Sequence, residues 1–408
     1  MEKDGKFVKG MVCGAALTLA CMALTVNFYR LRLNWNLKEL TNQTAEQETE
    51  LDLNTRAVGN KIAQLQELIN ESFLGDIDTQ QVEDAIYSGM LEGLDDPYSE
   101  YYSAEELQRI SESSSGEYSG IGVTLTQDPD TGEIYVVMCF PDTPAVEAGL
   151  QPGDVIWGVN GEEIGDMSLA DLVARIKSEP GEKIILNLHR DGETLEAAVE
   201  RRDIQVPTVS SRMLEEGIGY IRILEFDSVT VEQFEKALKE LKDQGMEKLL
   251  VDVRDNPGGV LQVVCDILDE LLPEGLLVYT EDKDGQRTEH FSDEEHQLDM
   301  PMAVLINENS ASASEIFAGA IHDFDAGTLV GTTTFGKGVV QRVYDFTDGT
   351  GVKLTIAKYY TPDGTDIHEK GIEPDVQVEL SEEAKQKVAL EDAEDLQLQE
   401  ALRILKEE

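Results

Sequence analysis

Leu249-Leu-Val-Asp-Val-Arg-Asp-Asn-Pro-Gly-Gly259 is a short apolar run that ends in a glycine turn, and a helical pattern from about Val260 to Leu272 follows it. A buried strand feeding a tight turn and then a helix is the repeating unit of an α/β sheet. The same order recurs on both sides. Upstream, a strand over Gly217–Ile223 leads to a helix over Val231–Asp243. Downstream, the apolar strand Met302–Ile306 runs into Asn307-Glu-Asn-Ser-Ala-Ser-Ala-Ser-Glu-Ile316 and a helix reaching about Asp323. Thr328–Gly331, Gly338–Val343 and Val352–Tyr360 read as further strands. Residues 204–379 are thus expected to form an α/β domain.

The pattern differs before this domain. Ser111-Glu-Ser-Ser-Ser-Gly116 is a small-residue linker, after which short strands dominate. They lie over Gly120–Thr126, Gly132–Met138, Gly153–Gly161, Lys183–His189 and Glu193–Val199, the last two joined by Arg190-Asp-Gly. Short helices at Pro144–Leu150 and Ser168–Ile176 complete a β-rich module over 113–203. Residues 30–112 read as a polar helical arm. Ala57, Ile62, Leu65, Leu68 and Ile69 repeat near a 3.6 period, as do Val82, Ile86, Met90 and Leu91, which suggests oligomerisation. Asp95-Asp-Pro-Tyr-Ser99 breaks the pattern. Residues 380–408 read as an acidic helix.

At the start, residues 1–10 form a short tail with Lys3, Lys6 and Lys9. The apolar run Met11–Tyr29 comes next, then Arg30 and Arg32. That run approaches the ~20 residues that cross a bilayer. Without a clear cleavage site it is expected to be an uncleaved signal anchor, a single transmembrane helix over 11–29. The implied location is the cell membrane, single-pass, with the N-terminus inside and the rest extracytoplasmic.

Composition excludes several function classes. Acidic residues number 82 against 33 basic ones, and the net charge of -49 repels nucleic acid. The four cysteines make no C-x-x-C pair and the five histidines no His-x-x-x-His spacing, so no metal site and no cofactor is expected.

Three segments can carry chemistry. Ser312, among small residues between a strand and a helix, can present an exposed hydroxyl beside the helix's free N–H groups. Ser312-x-x-Glu315 is also a capping box, so helix capping is the alternative reading. Lys337 is bracketed by glycines in Phe335-Gly-Lys-Gly-Val-Val-Gln341. Apolar surroundings would lower its pKa from the ordinary ~10.4 and make it a base, with Gln341 holding the amine. The alternative is an exposed lysine in a glycine turn. Four residues of straight strand span ~13 Å, so the Lys337 and Gln341 side chains meet only if the chain bends at Gly338. The Asn256-Pro-Gly258-Gly259 turn can present free N–H groups, or it is simply a tight turn.

Together these segments resemble the C-terminal processing peptidases, tail-specific serine proteases with a Ser/Lys dyad. The match extends to Tyr359-Tyr-Thr-Pro-x-Gly364 and Gly371-Ile-x-Pro-Asp375 and covers roughly residues 80–378. The resemblance implies a crotonase-like protease core on a curved sheet, with 113–203 as an inserted PDZ domain. It implies Ser312 as nucleophile, Lys337 as base, Gln341 as its partner, and the N–H groups of Gly258 and Ala313 as oxyanion hole. Ser119, Gly120, Ile121, Gly122 and Val123 would bind a peptide carboxylate, with β-addition at the adjacent strand edge. Asn309 departs from a glycine often seen just before the Ser-Ala-Ser run. The expected function is serine endopeptidase, cleaving extracytoplasmic proteins with accessible C-terminal tails. The expected assembly is a homo-oligomer, with a dimer first. The alternative is a gated or inactive PDZ adaptor.

Overall fold

The computed structural model describes residues 51–177, 181–385, 387 and 390–407. The chain divides into two units, Met1–Ile77 and Asp78–Glu408. Within the first, α1 (Thr55–Ser72) is opened by Asn54, whose side chain accepts the Ala57 N–H at 3.0 Å. Its Leu65, Leu68 and Ile69 are exposed.

The second unit begins with α2 (Thr79–Glu92), β1 (Glu100–Tyr102) and α3 (Ala104–Ser115). Gly116, at φ 68, ends α3 in the left-handed conformation that glycine tolerates best. The β-rich module follows as β2 (Glu117–Gly120), β3 (Val123–Gln127), β4 (Ile134–Cys139), α4 (Pro144–Glu147), β5 (Val155–Val159), β6 (Glu162–Glu163), α5 (Leu169–Ile176), β7 (Lys183–Arg190), β8 (Glu193–Glu200) and β9 (Arg202–Gln205). Its sheet has the order β3-β4-β5-β7-β8, with β6 on β5. Alternate residues such as Ile184, Leu186 and Leu188 point inward onto Ile134, Ile156 and Leu172. Entering β2 pairs antiparallel with departing β9, so the chain enters and leaves the module side by side. That is the geometry an inserted domain needs.

The α/β part contains β10 (Val209–Met213), β11 (Ile218–Ile223), α6 (Thr230–Asp243), β12 (Lys248–Asp252), α7 (Leu261–Asp269), β13 (Gly275–Asp282), β14 (Arg287–Ser292), β15 (Met302–Ile306), α8 (Ala313–Asp323), β16 (Thr328–Gly331), β17 (Val339–Asp345), β18 (Gly351–Tyr360), β19 (Val376–Gln377), α9 (Glu382–Lys385) and α10 (Leu396–Glu407). The central sheet runs β10-β11-β12-β15-β16-β19. All its pairs are parallel except β10 with β11. Parallel strands need helical crossovers and are buried on both faces. In β12, Leu249 and Val251 meet the core that contains Phe234, Leu268 and Phe317 of the crossover helices. Leu250 faces the other way, against Leu398, Ala401 and Leu405 of α10. An antiparallel second sheet has the order β1-β18-β13-β14, with β17 on β18. Through β1, residues 100–102 pair with the start of β18, Gly351–Lys353.

One expectation is corrected. The apolar run 11–29 lies outside the described residues. Among the described residues, no helix is long and apolar enough to cross a membrane. The longest of these, α1, carries Arg56, Lys61, Glu67 and Glu71 across its 18 residues, a pattern a bilayer core does not accept. A single transmembrane anchor is therefore not supported. Nor is the single-pass cell-membrane location with an extracytoplasmic catalytic domain that followed from it.

The docking of α10 is testable. Leu405 is fully buried, so Leu405→Ala is expected to cost about 2–5 kcal/mol, seen as a lower urea midpoint. Lys406→Ala on the exposed side should change stability by less than about 0.5 kcal/mol. An unchanged midpoint in Leu405→Ala would contradict the docking.

Candidate active site

Three serines cluster where β15 gives way to α8, Ser310 and Ser312 before the helix and Ser314 in its first turn, and two are consumed by structure. The buried Ser310 hydroxyl donates to the Val253 carbonyl at 2.8 Å. The buried Ser314 hydroxyl donates to the Asn256 carbonyl at 2.9 Å, and the Ala311 N–H donates to the same oxygen at 3.0 Å. These bonds clamp the serine loop onto the turn after β12. Ser312 is left half-buried between them at φ 55, ψ −112. A residue other than glycine is strained there. Such strain is typical of a sharp strand-to-helix turn that presents a nucleophile. Immediately after it, the Ala313 N–H is donated to no other group among the described residues.

Glu315 does more than cap α8. Its fully buried carboxylate accepts the Ser312 N–H and the Lys337 N–H through one oxygen, each at 2.8 Å. The other oxygen accepts the Gly336 N–H and the Thr334 hydroxyl, each at 2.7 Å. The serine turn and the lysine loop are therefore held by one side chain. In the lysine loop Gly336 takes the left-handed φ of 92 that glycine tolerates best.

The glycine turn lies directly against the serine. A Cβ on Gly258 would sit 2.8 Å from the Ser312 Cβ and 3.0 Å from the Ala313 nitrogen. At φ 111, only glycine is comfortable there. The Gly258 N–H donates to Asn256 Oδ1 at 2.8 Å, and Asn256 in turn donates to the Ile223 carbonyl at 3.0 Å. Below the turn, Arg254 bridges fully buried Asp252 and Asp395, at 2.6 and 2.8 Å. Burial alone would raise the Asp252 pKa; the guanidinium overrides it and holds the carboxyl below its usual range. Asn309 and Asn307 both donate to Asp255 Oδ1, at 2.9 and 2.8 Å, which closes the loop without a glycine at 309.

Lys337 is half-buried, and burial lowers its pKa, aided by nearby Lys353 and opposed by Glu315, Glu100 and Asp96. Its amine lies 4.9 Å from the centre of the Tyr98 ring, and no hydrogen bond joins it to Ser312 among the described residues. A ring face favours the charged amine, whereas burial favours the neutral one. Buried Tyr359 donates its hydroxyl to the Lys337 carbonyl and also meets the Ser312 side chain. Gln341 sits apart: its amide donates to the Thr355 hydroxyl at 3.3 Å and the Val339 carbonyl at 3.4 Å.

In the β-rich module, Ser119 and Gly120 end β2, Ile121 and Gly122 form the turn, and Val123 opens β3. β3 is the edge strand of its sheet. Beside it a cavity of about 460 Å³ is lined by Ile121, Val123, Leu125, Phe140, Val173 and Ile176. An open edge over an apolar trough suits an added peptide strand.

Sequence reasoning missed Tyr98 and Tyr359 as neighbours of the lysine, and saw Glu315 only as half of a capping box. The Tyr98 segment looked like a helix break. Its signal was there: aromatic residues following a Pro turn favour a strand, and β1 pairs with β18.

Three family models match: peptidase family S41 over residues 217–378, a PDZ domain over 119–200, and the N-terminal domain of the activating protease CtpB over 11–106. The chain is similar to the carboxy-terminal processing protease CtpA of Bacillus subtilis, with 35% identity over 80% of this chain and 70% of that protein. It is similar to the carboxyl-terminal-processing protease of Synechocystis sp., with 36% identity over 71% of this chain and 69% of that one. A solved structure from Bacteroides fragilis, assigned to the S41 proteases, shares 18% identity at a TM-score of 0.50 over 82% of this chain and 93% of its own, a likeness of fold. With a buried carboxylate joining a strained serine to a lysine loop, and relatives matched over most of their length, the chain belongs to peptidase family S41, as a PDZ-containing serine peptidase related to the carboxy-terminal processing proteases.

Proposed function

We propose that this peptidase cleaves proteins with accessible C-terminal tails by a Ser312/Lys337 dyad. Ser312 Oγ attacks the scissile carbonyl carbon while neutral Lys337 takes its proton. The oxyanion is held by the Ala313 N–H, and by the Gly258 N–H once Asn256 yields it. The amine leaves with the proton from Lys337, and water then opens the acyl-enzyme. The observation that supports this most is the Glu315 oxygen shared by the Ser312 and Lys337 backbones. Gln341 on β17 would steady the lysine strand through its bond to Thr355 in this state. The seat of Lys337 on Tyr98 and the engaged Gly258 N–H favour a resting, gated arrangement.

The same reading assigns oligomerisation to the arm expected over 30–112, tail binding to the PDZ domain over 113–203 and cleavage to the core over 204–379, with 380–408 as the C-terminal segment. Self-association as a dimer belongs to the same reading, supported by the exposed Leu65, Leu68 and Ile69 of α1. Changing all three to serine should yield a monomer by sedimentation. An unchanged mass would remove α1 as the interface.

The first test is cleavage of an unfolded protein with an apolar tail by wild type, Ser312→Ala and Lys337→Arg. Both variants should lose activity by at least ~100-fold while staying folded, because arginine keeps the charge but cannot be a base. Full activity in Lys337→Arg would sink the dyad. Because burial lowers the Lys337 pKa, kcat/KM should rise with pH as the amine loses its proton. The midpoint should lie below the ordinary ~10.4. A limb falling with pH over that range would mean the charged lysine is needed. Glu315→Gln would set an amide NH2 against two donors. It should cost about 2–3 kcal/mol in stability and at least ~100-fold in kcat/KM. Retained kcat/KM would show that the shared oxygen does not organise the site.

A further inference from the structure

This inference rests on reading the groove beside β3 as the tail-binding site. The loop that would take a carboxylate already has an occupant, Tyr118. Its ring lies across Gly120: a Cβ on Gly120 would sit 2.5 Å from the ring atom Cε2 and 2.9 Å from Cδ2. The ring thereby brings its phenol to the turn: burial raises the phenol's pKa, and the Gly122 and Val123 N–H groups that face it oppose the rise. The carbonyls of this turn are spent elsewhere. Ile121 accepts the Ala145 N–H and Gly122 accepts the Phe140 N–H, each at 2.9 Å. The turn therefore offers donors to the groove, and the phenol stands in front of them. The ring is covered in turn by Lys177, whose amine is 5.3 Å from its centre. Lys177 is held by Glu112 of α3 at 2.6 Å, so a helix outside the module pins the ring in place. Arg109 and Ser113 of the same helix also line the groove.

We propose that Tyr118 sets the affinity of the tail site, its phenol oxygen standing where an oxygen of a peptide's terminal carboxylate binds, with the Glu112–Lys177 pair keeping it there. A tail must displace the phenol to bind. Hydrogen bonds to a carboxylate are roughly twice as strong as those to a neutral oxygen. A free carboxylate therefore gains from the exchange, while a neutral carbonyl in an internal segment exchanges one neutral acceptor for another. The occupant makes the site respond to true chain ends and resist internal loops.

The test is fluorescence anisotropy with a fluorescein-labelled decapeptide ending in Ala-Ala, as free acid and as carboxamide. The full chain carries Ser312→Ala to stop turnover. Tyr118→Phe removes only the oxygen and should bind the acid about fivefold tighter, the worth of one neutral hydrogen bond. Glu112→Gln, which unpins Lys177, should move affinity in the same direction. Weaker or unchanged binding in Tyr118→Phe, with wild type still preferring acid over amide, overturns the inference and leaves the tail site standing. No preference for the acid in wild type overturns the tail-site reading and the inference with it.

Discussion

A buried carboxylate is costly unless its lone pairs are filled, and Glu315 fills them with four donors from two separate loops. That requirement fixes the site. If the lysine loop moved away, the carboxylate would lose three of its partners inside the protein. If the serine turn relaxed to an ordinary helix start, it would lose the fourth. The strain at Ser312 can persist because these bonds, and the clamps from Ser310 and Ser314, over-determine the turn. The fold supplies the rest. Parallel strands β12 and β15 end side by side, so the glycine turn and the serine turn must emerge next to each other.

The lysine is placed by a different logic. Burial pulls it toward the neutral form a base needs, and the Tyr98 ring offers the charged form a seat. Tyr98 lies two residues before β1, which is paired with β18, and β18 also carries Tyr359. The antiparallel sheet thus brings two aromatic residues to the lysine from opposite ends of the chain. A change in that sheet or in the Tyr98 turn could move the amine between seat and serine without altering the parallel core.

The parts legible in the sequence are local ones. Ser312 stood out because small residues joined a strand to a helix, Gly258 because a glycine pair followed a buried strand, and Lys337 because glycines flanked a charge. The resemblance to a known family supplied their joint roles. What could not be read depends on long-range pairing. Nothing near Tyr98 in sequence says that it will lie under Lys337, because the register Glu100 to Lys353 is set by the folded sheet. Glu315 was visible as the third residue of a cap, but its contacts to Thr334, Gly336 and Lys337 need the finished fold. Ser119 to Val123 were read as a binding loop, while the role of the adjacent Tyr118 as that loop's occupant depends on where its ring turns. The membrane anchor was inferred from an apolar run with basic flanks and no clear cleavage site, and no described helix supports it.

The account turns on Ser312 being the one serine made nucleophilic, and on Lys337 making it so. The most direct measurement is labelling by a fluorophosphonate, followed by mapping of the adduct by mass spectrometry. The account predicts a single adduct on Ser312, formed at least ~100-fold more slowly in Lys337→Ala. An adduct on another serine, or equal labelling rates in the two proteins, would contradict it.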